Sequence, residues 1–199
     1  MFIIKIKKGG TNMGWIILII VIVLIFLVIS IYNGLVTSRA KVDNAWSQID
    51  VQLQRRFDLI PNFVETVKGY AAHESETLEK VTQLRTSWAN ASTVAEKAEL
   101  DNQLSGALKT IMAVSENYPD LKANQNFAQL SEELRNTENK ISFSRQFYND
   151  TVTIYNQKLL VFPSNIIANM FNFTSRDLFK VDNEEARKNV KVDFGKEQI

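Results

Sequence analysis

The side chains that could do acid–base or metal chemistry in this chain are few. His73 is the only histidine, and Glu74 and Glu76 follow it closely, so these three residues are the candidates for a general base or a metal site. No cysteine or second histidine completes such a site. The stretch 73–76 is equally typical of a solvated break between two helices, and we favour that interpretation. We therefore predict no catalytic residue, no metal site and no cofactor.

A second group of candidate residues contains two arginines and an aspartate. Arg55, Arg56 and Asp58 share one helical turn and could bind anionic lipid head groups or form ion pairs inside the protein. On a straight helix they would lie roughly 30 Å beyond the apolar segment described below, which favours the internal network. Its expected acidic partners are Glu132, Glu133 or Glu138.

A third pair of polar residues belongs to the same hypothesis. Arg145 and Asn149 are one helical turn apart and could join a polar seam that sets helix register. The predicted polar network consists of Arg55, Arg56, Asp58, Glu138, Arg145 and Asn149.

The helix expected to carry Arg55, Arg56 and Asp58 follows an apolar segment near the start of the chain. No charged side chain occurs between Gly9 and Ser38, and the run Trp15–Ile31 is almost entirely Ile, Val and Leu. Its length matches the roughly 20 residues that cross a bilayer as a helix. A cleaved signal peptide would have a shorter apolar core and a small-residue cleavage site, which is missing after Ser30. We predict a retained transmembrane helix over residues 13–32, with Trp15–Ile31 in contact with the lipid bilayer.

The orientation of this helix depends on where translation starts. The codons for Lys8-Gly9-Gly10 can spell a ribosome-binding sequence ahead of Met13, which predicts that residues 1–12 are a mis-assigned leader. With Met1 as the start, Lys5, Lys7 and Lys8 would favour a cytoplasmic N-terminus. With Met13 as the start, Arg39 and Lys41 favour an outside N-terminus and a cytoplasmic domain. We expect the second arrangement.

The remainder of the chain has the composition of one helical domain. All 22 acidic residues and 20 of the 23 basic residues follow Ser38, and this near balance argues against nucleic acid as a partner. Only three prolines and seven glycines occur in the whole chain. Low proline and glycine with many Ala, Leu, Gln, Glu and Lys residues is typical of helices.

Apolar residues recur three or four positions apart through most of this region, which predicts long helices. Within the first run Pro61 predicts a kink, and Gly69 with the stretch 73–76 predicts a break. Thr93 and Glu96 have capping-box spacing, so a helix should begin at Val94. The predicted apolar stripe of this helix runs through Leu100, Leu104 and Ile111. Pro119 should open a further helix that ends before Pro163, and Ile166–Phe173 should form one or two turns. The fold class predicted is all-α: a transmembrane helix followed by an antiparallel bundle of three to four long helices.

Several extended motifs resemble the bacterial LemA family. They include Asn33-Gly34-Leu35-Val36, Asn44-Ala45-Trp46-Ser47-Gln48-Ile49, Asp58-Leu59-Ile60-Pro61-Asn62, Tyr118-Pro119-Asp120-Leu121, Thr137-Glu138-Asn139-Lys140-Ile141 and Ser144-Arg145-Gln146-Phe147-Tyr148-Asn149. Phe63 stands where the family pattern has a smaller aliphatic residue. The resemblance runs from the anchor to about Phe173 and implies a membrane-anchored helical bundle, but it implies no established activity.

These observations lead to one functional expectation and one alternative. We expect a non-enzymatic, single-pass protein of the bacterial cytoplasmic membrane whose bundle, residues 33–173, binds or scaffolds a membrane or membrane-proximal protein. The alternative is an accessory subunit of a membrane enzyme such as a protease. The polar tail, residues 174–199, is expected to be loosely ordered, with Leu178, Phe179 and Phe194 as docking points.

Overall fold

The computed structural model describes residues 10–180, and within them it contains α-helices, two short 3₁₀ helices and no strand. The α-helices are α1 (Gly10–Lys68), α2 (Ser75–Asn90), α3 (Val94–Val114), α4 (Pro119–Lys122), α5 (Gln125–Leu160) and α6 (Ser164–Met170). The 3₁₀ helices are Ala72–Glu74 and Ser115–Asn117. The all-α prediction is confirmed.

Helix α1 carries the apolar segment and runs without interruption into the charged part of the chain. Every large apolar side chain from Met13 to Leu27 is at least 42% exposed, so none of them is buried by the residues that the structure describes. In the part of the chain that the structure describes, α1 is the helix that is long and apolar enough to cross a membrane. The helix continues through Pro61 to Lys68, and the predicted break follows in the 3₁₀ helix Ala72–Glu74.

The start of α3 is set by the predicted capping box. The Glu96 backbone N–H donates to Thr93 Oγ1 at 3.1 Å, and the Glu96 carboxylate accepts from the Thr93 and Ser92 N–H groups at 3.0 Å each. The backbone hydrogen bond from Thr93, followed by that from Ser92, lowers the pKa of Glu96 below its ordinary value. The ionised carboxylate therefore stabilises the helix start.

This cap makes a pH-dependent prediction. A carboxyl group whose folded-state pKa is depressed contributes stability above its unfolded pKa and loses it as the pH falls through the folded pKa. We expect Glu96→Gln to be less stable than the wild type at neutral pH and to approach wild-type stability in acid, below the ordinary glutamate pKa. Urea unfolding of both proteins across this pH range measures the difference, and a difference that does not change with pH would contradict the prediction.

The helix predicted to start at Pro119 is divided in the structure. The four-residue helix α4 ends at Lys122, and α5 begins at Gln125. The side-chain oxygen of Asn124 accepts the Phe127 backbone N–H at 3.0 Å, which is an N-cap interaction. Asparagine at this position is therefore the start signal for α5 that periodicity alone does not reveal.

Residues 10–49 with 146–176 form the first of two compact units. One buried cluster consists of Leu35, Ile167 and Ala168, against which Val28, Ile31, Leu159 and Phe173 pack. Trp46 meets Tyr148 edge to face with ring centroids 5.7 Å apart. The Tyr155 hydroxyl, on a buried side chain, donates to the Thr174 carbonyl at 3.0 Å. The C-terminal half of α5, α6 and the segment after α6 thus share a core with α1.

Residues 50–145 with 177–180 form the second unit, built from the rest of α1 and α5 with α2, α3 and α4. Its core contains aromatic pairs: Phe57 stacks on Trp88 at 4.5 Å, and Phe63 stacks on Phe127 at 5.7 Å. Lys97 lies over the Trp88 ring and pairs with Asp50 at 2.6 Å. These contacts join α1 to α2, α3 and α5.

The first part of the predicted tail contacts this second unit. Phe179 is buried, as expected of a docking point, whereas Leu178 is exposed, and the Asn102 side chain donates to the Lys180 carbonyl at 3.3 Å. The predictions on Phe194, on the rest of the tail and on a leader with Met13 as the start concern residues largely outside those described.

Candidate functional site

A buried ion network lies in the second unit, and Asp101 of α3 is at its centre. Arg56 of α1 donates from Nη1 to Asp101 Oδ1 at 2.7 Å. Arg145 of α5 donates from Nη2 to the other carboxylate oxygen of Asp101. One carboxylate therefore bridges two guanidinium groups on different helices.

Two further groups complete the network around Arg56. Its Nη1 atom also lies 2.7 Å from Glu138 Oε2 on α5. Its Nη2 atom donates to Ser105 Oγ at 3.0 Å, and this hydroxyl lies 3.4 Å from both carboxylate oxygens of Glu138. Two cations and two anions thus balance one another across α1, α3 and α5.

Burial shapes the electrostatics of both arginines. The Asp101 side chain is fully buried, and that of Arg56 is almost so. Desolvation lowers the pKa of Arg56, and the charge of Glu138 opposes this effect. Desolvation, with the like charge of Arg56, lowers the pKa of Arg145 to about 10. Both groups are cations, because a guanidinium keeps its proton in proteins. The Arg145 guanidinium also lies over the Phe179 ring, 4.8 Å from its centroid.

The structure brings together some of the predicted network residues and separates others. Arg56, Glu138 and Arg145 take part, and among the three proposed glutamates Glu138 is the one that pairs with Arg56 in the described residues. Arg55 is exposed, and exposed Asp58 accepts a hydrogen bond from Gln54 at 2.8 Å. Asn149 is half-buried.

Asp101 is the member of the network that the sequence analysis missed. It follows buried Ala98 by three residues and precedes buried Leu104 by three, so it occupies the apolar stripe of α3. An acidic residue in such a position is the available signal, since buried charges are almost always paired. The stripe was predicted through Leu100 instead, which is only half-buried.

A cleft of about 290 Å³ opens beside the network in the second unit. Its walls include Arg56, Ser105 and Glu138 together with apolar Leu108, Met112 and Leu134. The Ser131 hydroxyl and the Nε atom of Arg56 are buried there and have no hydrogen-bond partner among the described residues. The cleft is lined mainly by apolar surface, but its volume has room for water beside these two polar atoms.

The chemistry of this arrangement is that of a structural ion network. Both carboxylates are neutralised by guanidinium groups that hold their protons at neutral pH, which leaves neither as a free base. His73 is exposed in the 3₁₀ helix between α1 and α2. Within residues 13–180 no group of three or more His, Cys, Asp or Glu side chains is placed to hold a metal ion. The network connects three helices, α1, α3 and α5, through ion pairs.

Sequence comparison identifies the family of this chain. A model of the LemA family matches residues 45–194, which include every residue of the ion network. This chain belongs to the LemA family. The LemA membership agrees with the long motifs in the sequence and with the helical fold.

Relatives of this chain include proteins of Metamycoplasma hominis and Paramagnetospirillum magneticum. Protein LemA of Metamycoplasma hominis is 29% identical over 154 residues, which cover 77% of this chain and 70% of that protein. Magnetosome proteins MamQ 1 and MamQ 2 of Paramagnetospirillum magneticum are each 25% identical over 175 residues, which cover 75% of this chain. The chain spans 64% of the length of each magnetosome protein.

Proposed function

We propose that this LemA protein is a non-enzymatic, single-pass protein of the bacterial cytoplasmic membrane, and that its helical bundle binds another protein at the bilayer. One observation carries the binding role: large apolar side chains are exposed along α5. Phe147 and Ile154 are two turns apart, on one face of that helix, and are 54% and 55% exposed. Phe143 is exposed as well. Aromatic and aliphatic side chains in water at such spacing are typical of protein-interaction surfaces.

The charge pattern supports a cytoplasmic bundle. Arg39 and Lys41 follow the apolar segment directly, and basic flanks favour the cytoplasmic side. Lys158 and Arg176 add two cations near this part of α1, since Lys158 Nζ donates to Ser38 Oγ at 2.6 Å and Arg176 pairs with Asp43 at 3.0 Å. The anionic lipids of the cytoplasmic leaflet would attract this cluster.

Site-specific photocrosslinking in a bacterial membrane tests both parts of the proposal. A photoreactive phenylalanine analogue replaces Phe147 in the full chain, and the same analogue at exposed Thr153 on α5 controls for random collision. We expect a reproducible crosslinked protein from position 147 and a much weaker band from position 153, because apolar contact area drives the association.

The identity of the captured protein decides the orientation and the kind of partner. A protein present on the cytoplasmic side supports the whole proposal, and a membrane protease among the products would favour the alternative of an accessory subunit. A partner confined to the outer face would overturn the orientation. Crosslinks to lipid alone, or equal products from both positions, would overturn the binding role.

A further inference from the structure

The connection between α5 and the end of the first unit is unusually apolar. Residues 159–175, which we call the apolar tip, contain no charged side chain, and they are bounded by Lys158 and Arg176. The tip comprises the last residues of α5, the whole of α6 and the segment that follows it.

Most of the large apolar side chains of the tip point away from the protein core. Their exposed fractions lie between 49% and 79%, and they are Leu160, Val161, Phe162, Ile166, Met170 and Phe171. Two residues of the tip, Ile167 and Ala168, are buried. An exposed apolar patch formed by consecutive residues marks a surface that another apolar phase covers.

The contacts of the tip with α1 indicate what covers its exposed apolar side chains. Ile167 and Ala168 share a core with Leu35, Val28 and Ile31, and the last two belong to the apolar run that begins at Trp15. Tyr32 of α1 packs on tip residues Phe171 and Phe173, with ring centroids 4.8 and 5.8 Å apart. The tip therefore lies beside the C-terminal end of the apolar segment, within the same compact unit.

The charged residues that border the tip lie beside the first charged residues of α1 after its apolar segment. Lys158 donates to Ser38 Oγ, and Ser38 is the last residue before Arg39 on α1. Arg176 pairs with Asp43 one turn further along α1. Cations bordering an apolar surface at one level are typical of proteins that enter the boundary between lipid head groups and acyl chains.

We propose that the apolar tip is a second membrane contact, a non-spanning wedge that inserts its exposed side chains into the bilayer beside the exit of α1. The wedge rests on the proposed membrane anchor, because its depth is set by its packing on Val28 and Ile31. Phe162 and Met170 enter the acyl-chain boundary, while Lys158 and Arg176 stay with the head groups. Together α1 and the wedge fix the tilt of the first unit on the membrane, which a single helix cannot do.

Spin-label accessibility in lipid nanodiscs tests the wedge with the full chain. The sequence contains no cysteine, so single-cysteine variants label cleanly. Labels are placed at Phe162 and Met170 in the tip, at Ile20 within the apolar run, and at Phe147 as an exposed phenylalanine of the same helix. Phe147 lies beside Tyr148, which contacts Trp46, about 22 Å along α1 from Ile31. Oxygen collides more often with labels in lipid, and a soluble nickel chelate collides more often with labels in water.

The pattern across the four positions separates the proposals. We expect Phe162→Cys and Met170→Cys to resemble Ile20→Cys, with oxygen relaxing the label more than nickel does, and Phe147→Cys to show the reverse. If the tip labels respond to nickel while Ile20→Cys responds to oxygen, the wedge is overturned and the anchor stands. Tip labels shielded from both reagents would indicate a protein partner over the tip and would also overturn the wedge. Nickel access at Ile20→Cys would overturn the anchor and the wedge together.

Discussion

Replacing Asp101 by asparagine is expected to lower the free energy of unfolding by about 3–5 kcal/mol, the usual effect of removing one partner from a buried ion pair. Asp101 is fully buried and accepts hydrogen bonds from Arg56 and Arg145 on its two oxygens. Asparagine keeps one acceptor but turns a donating NH₂ group toward the other guanidinium. It also removes one of the two negative charges that compensate the two desolvated cations. Thermal unfolding followed by circular dichroism, in detergent or nanodiscs, measures the loss.

Two comparisons make this result specific to the network. Asp120→Asn, at an exposed position on α4, should change stability by no more than about 0.5 kcal/mol. Arg145→Gln should itself be destabilising. The double variant with Asp101→Asn should lose less stability than the sum of the two single losses, because the second change removes a cation that the first has left unpaired. If Asp101→Asn is as mild as Asp120→Asn, Asp101 does not hold the helices together.

Replacing Phe63 by alanine is expected to cost about 3–5 kcal/mol, the range for truncating a buried phenylalanine. The side chain is completely buried in the second unit and stacks on Phe127 across α1 and α5, with ring planes 25° apart. Truncation therefore removes apolar burial and the aromatic contact, and it leaves a cavity that two rigid helices cannot close. The midpoint of urea unfolding of the full chain measures this change.

The matched control is another phenylalanine on a helix. Phe143 is 74% exposed, so Phe143→Ala should change stability by no more than about 0.5 kcal/mol. Phe63→Leu should cost less than Phe63→Ala, because leucine fills more of the space, and leucine is the kind of smaller aliphatic residue that the family pattern leads one to expect there. Equal losses for Phe63→Ala and Phe143→Ala would show that the aromatic stack does not stabilise the bundle.

Local signals in the sequence were sufficient for much of the fold. The Thr93–Glu96 spacing located the start of α3 at Val94, because a capping box is formed by residues three apart and needs no tertiary partner. The polar stretch after Gly69 located the end of α1 for a similar reason. The division between α4 and α5 was missed, since asparagine is common in loops and at helix surfaces and becomes a recognisable cap only when its side chain faces the Phe127 N–H.

The polar network was harder to predict than the helices. Arg56 stood out because it shares one helical turn with Arg55 and Asp58, but such crowding does not say which side of a helix faces the core. Arg56 is buried and its neighbour Arg55 is exposed, because adjacent positions on a helix point about 100° apart. Periodicity placed Leu100 rather than Asp101 on the buried face of α3, an error of one position.

The sequence alone determined that this chain has an apolar helix long enough for a bilayer and a helical bundle after it, because hydrophobic length and period act within each segment. Only the tertiary structure decided which charges meet, because Arg56, Asp101 and Arg145 lie on three helices and their pairing depends on helix rotation. It also decided that residues 159–175 lie beside Val28 and Ile31. Two uncharged segments more than a hundred residues apart become one apolar surface only when α5 returns along α1.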